Sequence, residues 1–187
     1  MRVISGSARG RKLTTLEGMD VRPTLDKVKG AMFNMIQFDI PGSRVLDLFG
    51  GSGALSVEAL SRGAAHACVV DQSKKSIQVI EKNLTDTRLR DKADVFHGSF
   101  EQFLNGYRGK PFDFAFLDPP YSRGLIDVAM ERIIYCQVMA PCGIILCESD
   151  RDDVLAQQYG TFVLQKRCVY GKTALSIYAQ PQPDGEE

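Results

Sequence analysis

Val45-Leu46-Asp47-Leu48-Phe49-Gly50-Gly51-Ser52-Gly53 is the stretch that decides the fold. Its first four residues predict a buried strand, and its glycines predict a tight turn into a helix that extends to about Arg62. Gly51-Ser52-Gly53 begins the glycine fingerprint of a dinucleotide site, but Ser56 stands where the third glycine belongs. The stretch therefore predicts a strand, a ligand-binding turn and a helix, which together form the first unit of a Rossmann-like sheet.

Four further strand patterns follow this unit, and helix patterns separate them. The predicted strands are 65–70, 93–96, 112–117 and 143–147, and the predicted helices are 73–84, 99–105 and about 125–138. The strands are almost entirely apolar, which is typical of a parallel sheet covered by helices on both faces. We therefore expect parallel strands joined by helical crossovers.

The end of the chain departs from this alternation. Two strand patterns, 162–170 and 174–178, are separated only by Gly171-Lys172-Thr173. Because so short a link cannot contain a crossover, the two strands must form an antiparallel hairpin. The expected fold class is α/β, with a Rossmann-like, doubly wound and mostly parallel sheet of seven strands that ends in an antiparallel hairpin.

The two ends of the chain differ from the middle in charge. Residues 1–12 contain four basic residues and no acidic one, and their glycines predict a short hairpin or arm. We expect a basic N-terminal arm or hairpin over 1–22, a single domain over 23–180 and a frayed acidic tail over 181–187. Such an arm can bind phosphates on a neutral protein, although a solvated polar edge would have the same composition.

The overall composition limits the classes of function. The chain has 187 residues, of which 44% are hydrophobic, enough for one domain with a buried core. Lys plus Arg and Asp plus Glu both total 23, which argues against a general polyanion binder. No apolar run approaches the ~18 residues of a membrane span, and no signal-peptide core begins the chain. We therefore expect a cytoplasmic protein with no membrane contact.

Cysteine and histidine usage gives no sign of a metal centre. The chain has five cysteines without a C-x-x-C pair, and its only histidines are His66 and His97, both in predicted strands. Such residues are more typical of reduced, buried thiols and structural imidazoles than of a set of metal ligands. No metal is predicted.

Carboxylates end the first two predicted strands. Asp47 precedes the glycine loop, where a carboxylate would repel a pyrophosphate and favour an ammonium group. Asp71 lies 18 residues beyond Gly53, where a Rossmann-type site places the acceptor of ribose hydroxyls. A neutral nucleoside with an ammonium group and no phosphate describes S-adenosylmethionine. Taken singly, the glycine loop can be only a turn, and Asp71 can be only a helix cap.

Asp118-Pro119-Pro120-Tyr121 closes the predicted strand 112–117. The two prolines cannot donate to a sheet ladder, so the strand ends at the edge where open α/β sheets bind ligands. The Asp118 carboxylate and the Pro119 carbonyl would accept the hydrogens of an exocyclic amine, and Tyr121 would stack on the base. An ordinary strand-ending turn is the alternative.

These motifs, taken in order, resemble the class I S-adenosylmethionine-dependent methyltransferases of the amino-methylating branch. Within that branch, the chain is most similar to the RsmD family of bacterial 16S ribosomal RNA guanine-N2 methyltransferases. The resemblance covers nearly the whole chain. It rests on Ile4-Ser5-Gly6, Arg9-Gly10-Arg11-Lys12, Arg22-Pro23-Thr24, the glycine loop, 58–64, Asp118-Pro119-Pro120-Tyr121 and Tyr170-Gly171-Lys172-Thr173.

The resemblance implies a role for each site residue. Residues implied to hold the methionine part are Asp47, Phe49, Gly50, Gly51 and Gly53, with Asp71 on the ribose and Ser99 and Phe100 beside the adenine. Related enzymes often have an Asp where this chain has Ser99, so adenine recognition here is expected to use backbone groups or Phe100 instead. The catalytic residues implied are Asp118, Pro119 and Tyr121.

The expected substrate is 16S ribosomal RNA, either free or within the assembling small ribosomal subunit. Positive charge indicates that Arg9, Arg11 and Lys12 grip RNA phosphates, with Arg22 at the rim of the site. For Arg22 an ordinary surface salt bridge is an equal alternative. The target guanine must leave its stack to reach Asp118, which favours a loop or splayed nucleotide.

Four other functions fit parts of the sequence. The same motifs occur in adenine-N6 DNA methyltransferases and in glutamine methylases that act on protein. A short chain without a target-recognition domain argues against a sequence-specific DNA enzyme. A non-catalytic RNA-binding assembly factor would be expected to have lost one of the two motifs, and both are intact. An NAD-dependent dehydrogenase is disfavoured by Ser56 and Asp47.

Overall fold

The sheet is built around the strand that leads into the glycine loop. A computed structural model describes residues 1–16, 23–120 and 124–181, without the side chains of 23–25. Its strands are β1 Arg44–Asp47, β2 His66–Asp71, β3 Ala93–His97, β4 Phe112–Leu117, β5 Met139–Asp150, β6 Gln158–Tyr159, β7 Phe162–Tyr170 and β8 Thr173–Ala179. Its α-helices are α1 Pro23–Met35, α2 Ala54–Ser61, α3 Lys74–Asp86, α4 Phe100–Gly106 and α5 Leu125–Cys136. Nearly all of these elements fall where the apolar patterns predict them.

The strand order is β3-β2-β1-β4-β5-β8-β7-β6. Strands β1 to β5 pair in parallel, whereas β8 pairs antiparallel with β5 and β7. The order reverses between β1 and β4, which makes their carboxyl ends the switch point where a doubly wound sheet opens a crevice. The predicted α/β class, mostly parallel sheet and closing hairpin are confirmed.

The predicted number of strands was wrong, because the described residues form eight strands in place of seven. The additional strand, β6, is only two residues long and pairs with β7 through Tyr159 and Phe162. A two-residue strand leaves no alternation in the sequence. Its position depends on burial of the Tyr159 ring, which lies 5.4 Å from the ring of Tyr178.

Two apolar layers cover the sheet, as the apolar strands predict. On one face, Val45, Phe114 and Leu146 pack with α1, α2 and α3, and on the other their neighbours Leu46 and Ala115 pack with α4 and α5. This alternation is the ordinary pleat of a strand that is buried on both sides. Among the residues that the structure covers, no helix is long and apolar enough to cross a bilayer.

The N-terminal segment is a small hairpin that packs into the first of these layers. An isolated antiparallel bridge joins Arg2 and Lys12, and Val3, Ala8 and Leu13 are buried in the core. The turn of the hairpin reaches the end of α2, where Ser7 donates its N–H to the carbonyl of Ser61 at 2.8 Å. The predicted hairpin is thus confirmed as part of the packed fold. Its boundary at residue 22 stays a prediction, since 17–22 are outside the described residues.

A buried carboxylate fixes the base of this hairpin. Glu58 of α2 accepts the N–H of Ile4 at 2.8 Å and that of Ser5 at 3.0 Å. The same carboxylate lies 3.1 Å from Lys29 Nζ and 2.8 Å from Arg62 Nε. Glu58 is fully buried, so its charge is tolerable only because both cations and both amides face it.

Candidate functional site

A cavity of about 730 Å³ opens at the carboxyl ends of the central strands. It lies between the glycine loop, the ends of β2 and β4, the start of α4 and the base of the N-terminal hairpin. Predicted site residues in its lining are Phe49, Gly50, Gly51, Asp71, Ser99, Phe100, Asp118 and Pro119. The structure therefore brings together most residues that the sequence assigned to cofactor and target.

The glycine loop is held by two neighbouring elements. Gly50 donates its N–H to the carbonyl of Val70 at 2.9 Å, and Gly51 donates to Asp71 Oδ2 at 2.8 Å. A Cβ at position 50 would approach Val69 Cγ1 to 2.7 Å, so no larger residue fits between loop and sheet. Gly53 has φ of 76° immediately before α2, a conformation that favours glycine. The loop is consequently a rigid wall of the cavity.

Asp47 lies buried beneath this loop, behind the residues that line the cavity. Its Oδ2 accepts a hydrogen bond from Ser56 Oγ at 2.8 Å, whereas its Oδ1 has no hydrogen-bond partner among the described residues. Burial raises the pKa of Asp47 to about 6, although the Ser56 hydrogen bond opposes the shift. The site thus contains a buried carboxylate that a cation would stabilise.

Ser56 has a role that its sequence position concealed. The missing third glycine of the dinucleotide fingerprint is replaced by the hydroxyl that orients Asp47. The sequence contained one sign of this contact. A residue three positions after Gly53 lies in the first turn of α2, close to the end of β1. We treat Ser56 as a positioning residue for the carboxylate.

Asp71 contacts both the start of α3 and the glycine loop. Its Oδ1 accepts from Ser73 N–H at 2.7 Å at the start of α3, and its Oδ2 accepts from Gly51 N–H. It therefore joins the helix start to the glycine loop while lining the cavity. Each carboxylate oxygen retains a further acceptor site, so a ribose contact at Asp71 stays a prediction that this geometry accommodates.

The side of the cavity predicted to hold adenine is aromatic. The Phe49 and Phe100 rings lie 5.3 Å apart between centroids and both line the cavity. Ser99 caps α4, since its Oγ accepts from Gln102 N–H at 3.3 Å and Gln102 Oε1 accepts from Ser99 N–H at 3.0 Å. The Ser99 hydroxyl is thus engaged in the cap, which favours the aromatic rings as the predicted adenine contact.

Asp118 and Pro119 line the same cavity, directly after β4. Strand β4 ends at Leu117, as the two prolines predict. Burial raises the pKa of Asp118 well above its ordinary value, and the nearby carboxylates of Glu148 and Asp47 raise it further. Tyr121, the third predicted catalytic residue, lies outside the described residues, so its stacking role stays a prediction.

Glu148 is a site residue that sequence reasoning missed. It lies in β5, is 6% exposed and lines the cavity beside Asp118. The sequence feature that could have revealed it is an acidic residue directly after the apolar run 144–147. That signal was easy to overlook because no glycine or proline follows it and the strand continues to Asp150.

Asn83 is a second residue that the sequence did not reveal. This fully buried side chain on α3 accepts the N–H of Thr14 at 2.8 Å and donates to the carbonyls of Thr14 at 2.9 Å and Ser52 at 2.8 Å. It therefore connects the N-terminal hairpin to the glycine loop. A lone Asn in an amphipathic helix gives no local sign of such contacts.

The predicted RNA-binding residues lie on the outer face of the hairpin. Arg9, Arg11 and Lys12 are all exposed, and Arg11 donates to the carbonyl of Asp86 at 3.0 Å at the end of α3. Met1, at the base of the hairpin, lines the cavity, whereas the turn with Arg9 lies near the carboxyl end of α2. The structure thus spreads these cations away from the cavity. Arg22 lies outside the described residues.

One group of potential metal ligands lies at the opposite edge of the sheet. His66, Cys68 and Asp94 have ligand atoms within 4.8 Å of one another at the beginnings of β2 and β3. Burial raises the pKa of the Cys68 thiol to about 11, with a further contribution from Asp94. Because a thiol must lose its proton to bind a metal, this raised pKa disfavours metal binding by Cys68.

Comparisons with known proteins agree along the full chain. The family model described as conserved hypothetical protein 95 matches residues 1–179. Ribosomal RNA small subunit methyltransferase D of Escherichia coli is 34% identical over 186 residues, which cover 100% of this chain and 92% of that protein. A Bacillus subtilis protein provisionally named as the rRNA methyltransferase YlbH is 41% identical over 185 residues, with coverage of 95% and 98%.

A solved structure matches the fold equally well. The Escherichia coli protein yhhF, provisionally named as a methyltransferase, superimposes with a TM-score of 0.85 at 33% identity. The match covers 96% of this chain and 97% of that one. The fold is therefore shared with that structure over nearly the whole of both chains.

Proposed function

Since the chain belongs to the RsmD family, the family described as conserved hypothetical protein 95, we propose that it methylates the N2 amine of a guanine in 16S ribosomal RNA with S-adenosylmethionine as methyl donor. The observation that supports the proposal is that Asp118 and Pro119 line the same cavity as the glycine loop, at the ends of the neighbouring strands β4 and β1. A methyl donor on the loop side and an amine on the Asp118 side would meet between them. Family membership also argues against the dehydrogenase alternative.

The residues on the loop side fit S-adenosylmethionine. An ammonium group that reached Asp47 would give the unpaired Oδ1 a partner and favour the ionised carboxylate. Asp71 would accept from the ribose hydroxyls, and the Phe49 and Phe100 rings would contact the adenine face. When bound, the cofactor supplies a methyl group on a positively charged sulfur. The two carboxylates that border the loop disfavour a pyrophosphate there.

The residues on the Asp118 side fit an exocyclic amine. The nitrogen lone pair of such an amine is delocalised into the base, which makes it a poor nucleophile. Two acceptors, the Asp118 carboxylate and the Pro119 carbonyl, would draw its hydrogens aside and direct the lone pair toward the methyl group. Formation of the N–C bond requires N2 to lose one proton, and an ionised Asp118 can accept it. Positioning and electrostatics would supply most of the rate gain.

The hairpin would contribute to RNA binding, not to chemistry. Its cations Arg9, Arg11 and Lys12 are exposed and lie outside the lining of the cavity, which includes Met1 at the base of the hairpin. Phosphate contacts there would orient the RNA while the target base enters the site. Because the overall charge is balanced, this local surface would carry the electrostatic part of the affinity.

Methyl transfer from labelled S-adenosylmethionine to undermodified 16S ribosomal RNA tests the proposal. The RNA is offered free and within small subunits, and its nucleosides are separated after digestion. We expect label in N2-methylguanosine. Label in N6-methyladenosine would replace the proposed specificity with the adenine alternative. Cofactor binding without transfer to either RNA form would favour the assembly-factor alternative.

A further inference from the structure

The carboxylate of Glu148 lies beside Asp118. A role for it in choosing the target base rests on the proposed function and refines it. In the parallel pairing of β4 with β5, Leu117 lies opposite Cys147. The next residues along the chain are Asp118 and Glu148, so the two carboxylates follow the same register position on strands spaced about 4.8 Å apart. Leu117 and Cys147 both pack in the layer of α4 and α5, so alternation along β5 turns the Glu148 side chain toward the opposite face of the sheet.

Glu148 also lies at the junction of two cavities. A second cavity, of about 340 Å³, is lined by residues at the start of α5 and in the turn after β5. Pro119, Pro120, Leu125 and Glu148 line both this cavity and the larger one. A base in the second cavity would therefore lie against Glu148 and Pro119, with Asp118 in the lining of the adjoining larger cavity.

The two purines differ at the atom next to the reacting amine. Guanine offers three donors along its Watson–Crick edge, namely N1–H and the two hydrogens of N2, whereas adenine offers its N6 hydrogens beside an unprotonated N1 acceptor. An acidic side chain accepts hydrogen bonds when ionised. Asp118 with the Pro119 carbonyl can serve the amine, which leaves a second carboxylate for the neighbouring ring nitrogen. A carboxylate opposite an adenine N1 would instead place two acceptors face to face.

We propose that Glu148 is a specificity-determining residue that accepts the guanine N1–H and rejects bases whose N1 carries no hydrogen. Asp118 and Glu148 then divide the guanine edge between them, with the amine at Asp118 and N1–H at Glu148. The register of β4 on β5 and the shared cavity lining bring the two carboxyl groups near enough to act on one base.

The proposal is tested with RNA that carries 2-aminopurine in place of the methylated guanine. This base retains the N2 amine but has an unprotonated N1. For the wild-type enzyme we expect kcat/KM on 2-aminopurine to be about ten- to a hundredfold below that on guanine, the usual range for a hydrogen bond to a charged group. In Glu148→Gln the amide can also donate, so the ratio of the two kcat/KM values should fall toward one.

Three further measurements separate this proposal from a loss of folding or of the proposed function. Glu131→Gln, a matched change at an exposed position on α5, should leave the ratio unchanged. Glu148→Asp, which keeps the charge, should retain discrimination against 2-aminopurine even if Glu148→Gln does not fold. Calorimetry should show S-adenosylmethionine bound with wild-type affinity by both Glu148 variants.

The outcomes are distinct. A wild-type enzyme that methylates guanine, with the same guanine to 2-aminopurine ratio in Glu148→Gln, would overturn the role of Glu148 and leave the proposed function intact. Equal wild-type rates on both bases would also overturn it. No methylation of guanine by the wild-type enzyme would instead contradict the proposed function itself.

Discussion

The glycine loop and the N-terminal hairpin border the same cavity but are specified by different parts of the sequence. The loop is fixed by adjacent residues, since its glycines, Asp47 and the strand before it all lie within 45–53. The hairpin is fixed from a distance, by Glu58, Ser61 and Asn83, each more than 50 residues away. One border of a ligand site can thus be specified by adjacent residues, while another is assembled by tertiary contacts.

The largest expected effect concerns the buried charge that holds the hairpin. Glu58→Gln leaves Lys29 and Arg62 without their shared carboxylate, and Lys29 is itself buried. We expect the free energy of unfolding, measured by urea denaturation, to fall by about 3–5 kcal/mol. Glu81→Gln, which removes a partly exposed partner of Arg90, should cost at most about 1 kcal/mol. Equal losses would show that the hairpin is not anchored through Glu58.

The connection between the two regions is tested at Asn83. Asn83→Ala would leave the Thr14 amide and the carbonyls of Thr14 and Ser52 without this partner. We expect a loss of about 1–3 kcal/mol in stability, together with weaker binding of S-adenosylmethionine in calorimetry. Asn34→Ala, at an exposed position of α1, should change neither quantity. Reduced stability with unchanged cofactor affinity would show that the Asn83 contacts hold the hairpin without affecting the glycine loop.

Proton release on cofactor binding tests whether Asp47, beneath the glycine loop, meets the ammonium group of the cofactor. The pKa of Asp47 is raised to about 6 by burial, so in the folded protein without cofactor a fraction stays protonated near pH 6. An ammonium partner would lower this pKa, so cofactor binding at pH 6 should release part of a proton and binding at pH 8 almost none. Calorimetry in buffers of different ionisation enthalpy measures this release. It should disappear in Asp47→Asn and persist in Asp118→Asn; uptake of protons would contradict the assignment.

The same pKa shift predicts a pH dependence of stability. An acid whose folded pKa lies above its unfolded value binds more protons in the folded state between the two values. The contribution of Asp47 to stability is therefore greatest below pH 3.8 and is lost as pH rises toward about 6. In chemical denaturation, the free energy of unfolding should decline less between pH 3.8 and about 6 in Asp47→Asn than in the wild type. A steeper decline in the variant would contradict the assigned direction.

The smallest effect is expected at the tip of the hairpin. Replacing Arg9 and Arg11 with Ala should weaken RNA binding and make its salt dependence shallower, by a slope of roughly one for each phosphate that an arginine had neutralised. The methylated nucleotide should stay the same, because phosphate contacts position RNA without reading its sequence. Arg108→Ala with Lys110→Ala, two exposed residues in the turn before β4, is the matched double variant. Identical affinities and slopes for wild type and the Arg9/Arg11 variant would place the RNA elsewhere.

The difference between the two regions also explains what the sequence predicted. Parallel strands, the terminal hairpin and the strand-end carboxylates follow from periodicity, short links and proline, all of which are local signals. Asn83 and Glu148 depend on which elements meet in space, and neither has a spacing that reveals its partners. Strand β6 was not predicted because two residues are too few to show a periodic pattern. Ser56 had a local position but acquires its role only through Asp47.

The division of the cavity into a cofactor side and a target side is tested most directly by separating turnover from cofactor binding in Asp118→Ala. If Asp118 serves the target amine and takes no part in holding the cofactor, kcat on undermodified 16S ribosomal RNA should fall by at least about a hundredfold. Calorimetry on the same variant should give an S-adenosylmethionine affinity close to that of the wild type. Wild-type turnover in Asp118→Ala, or loss of cofactor binding in step with turnover, would contradict the proposed division of the site.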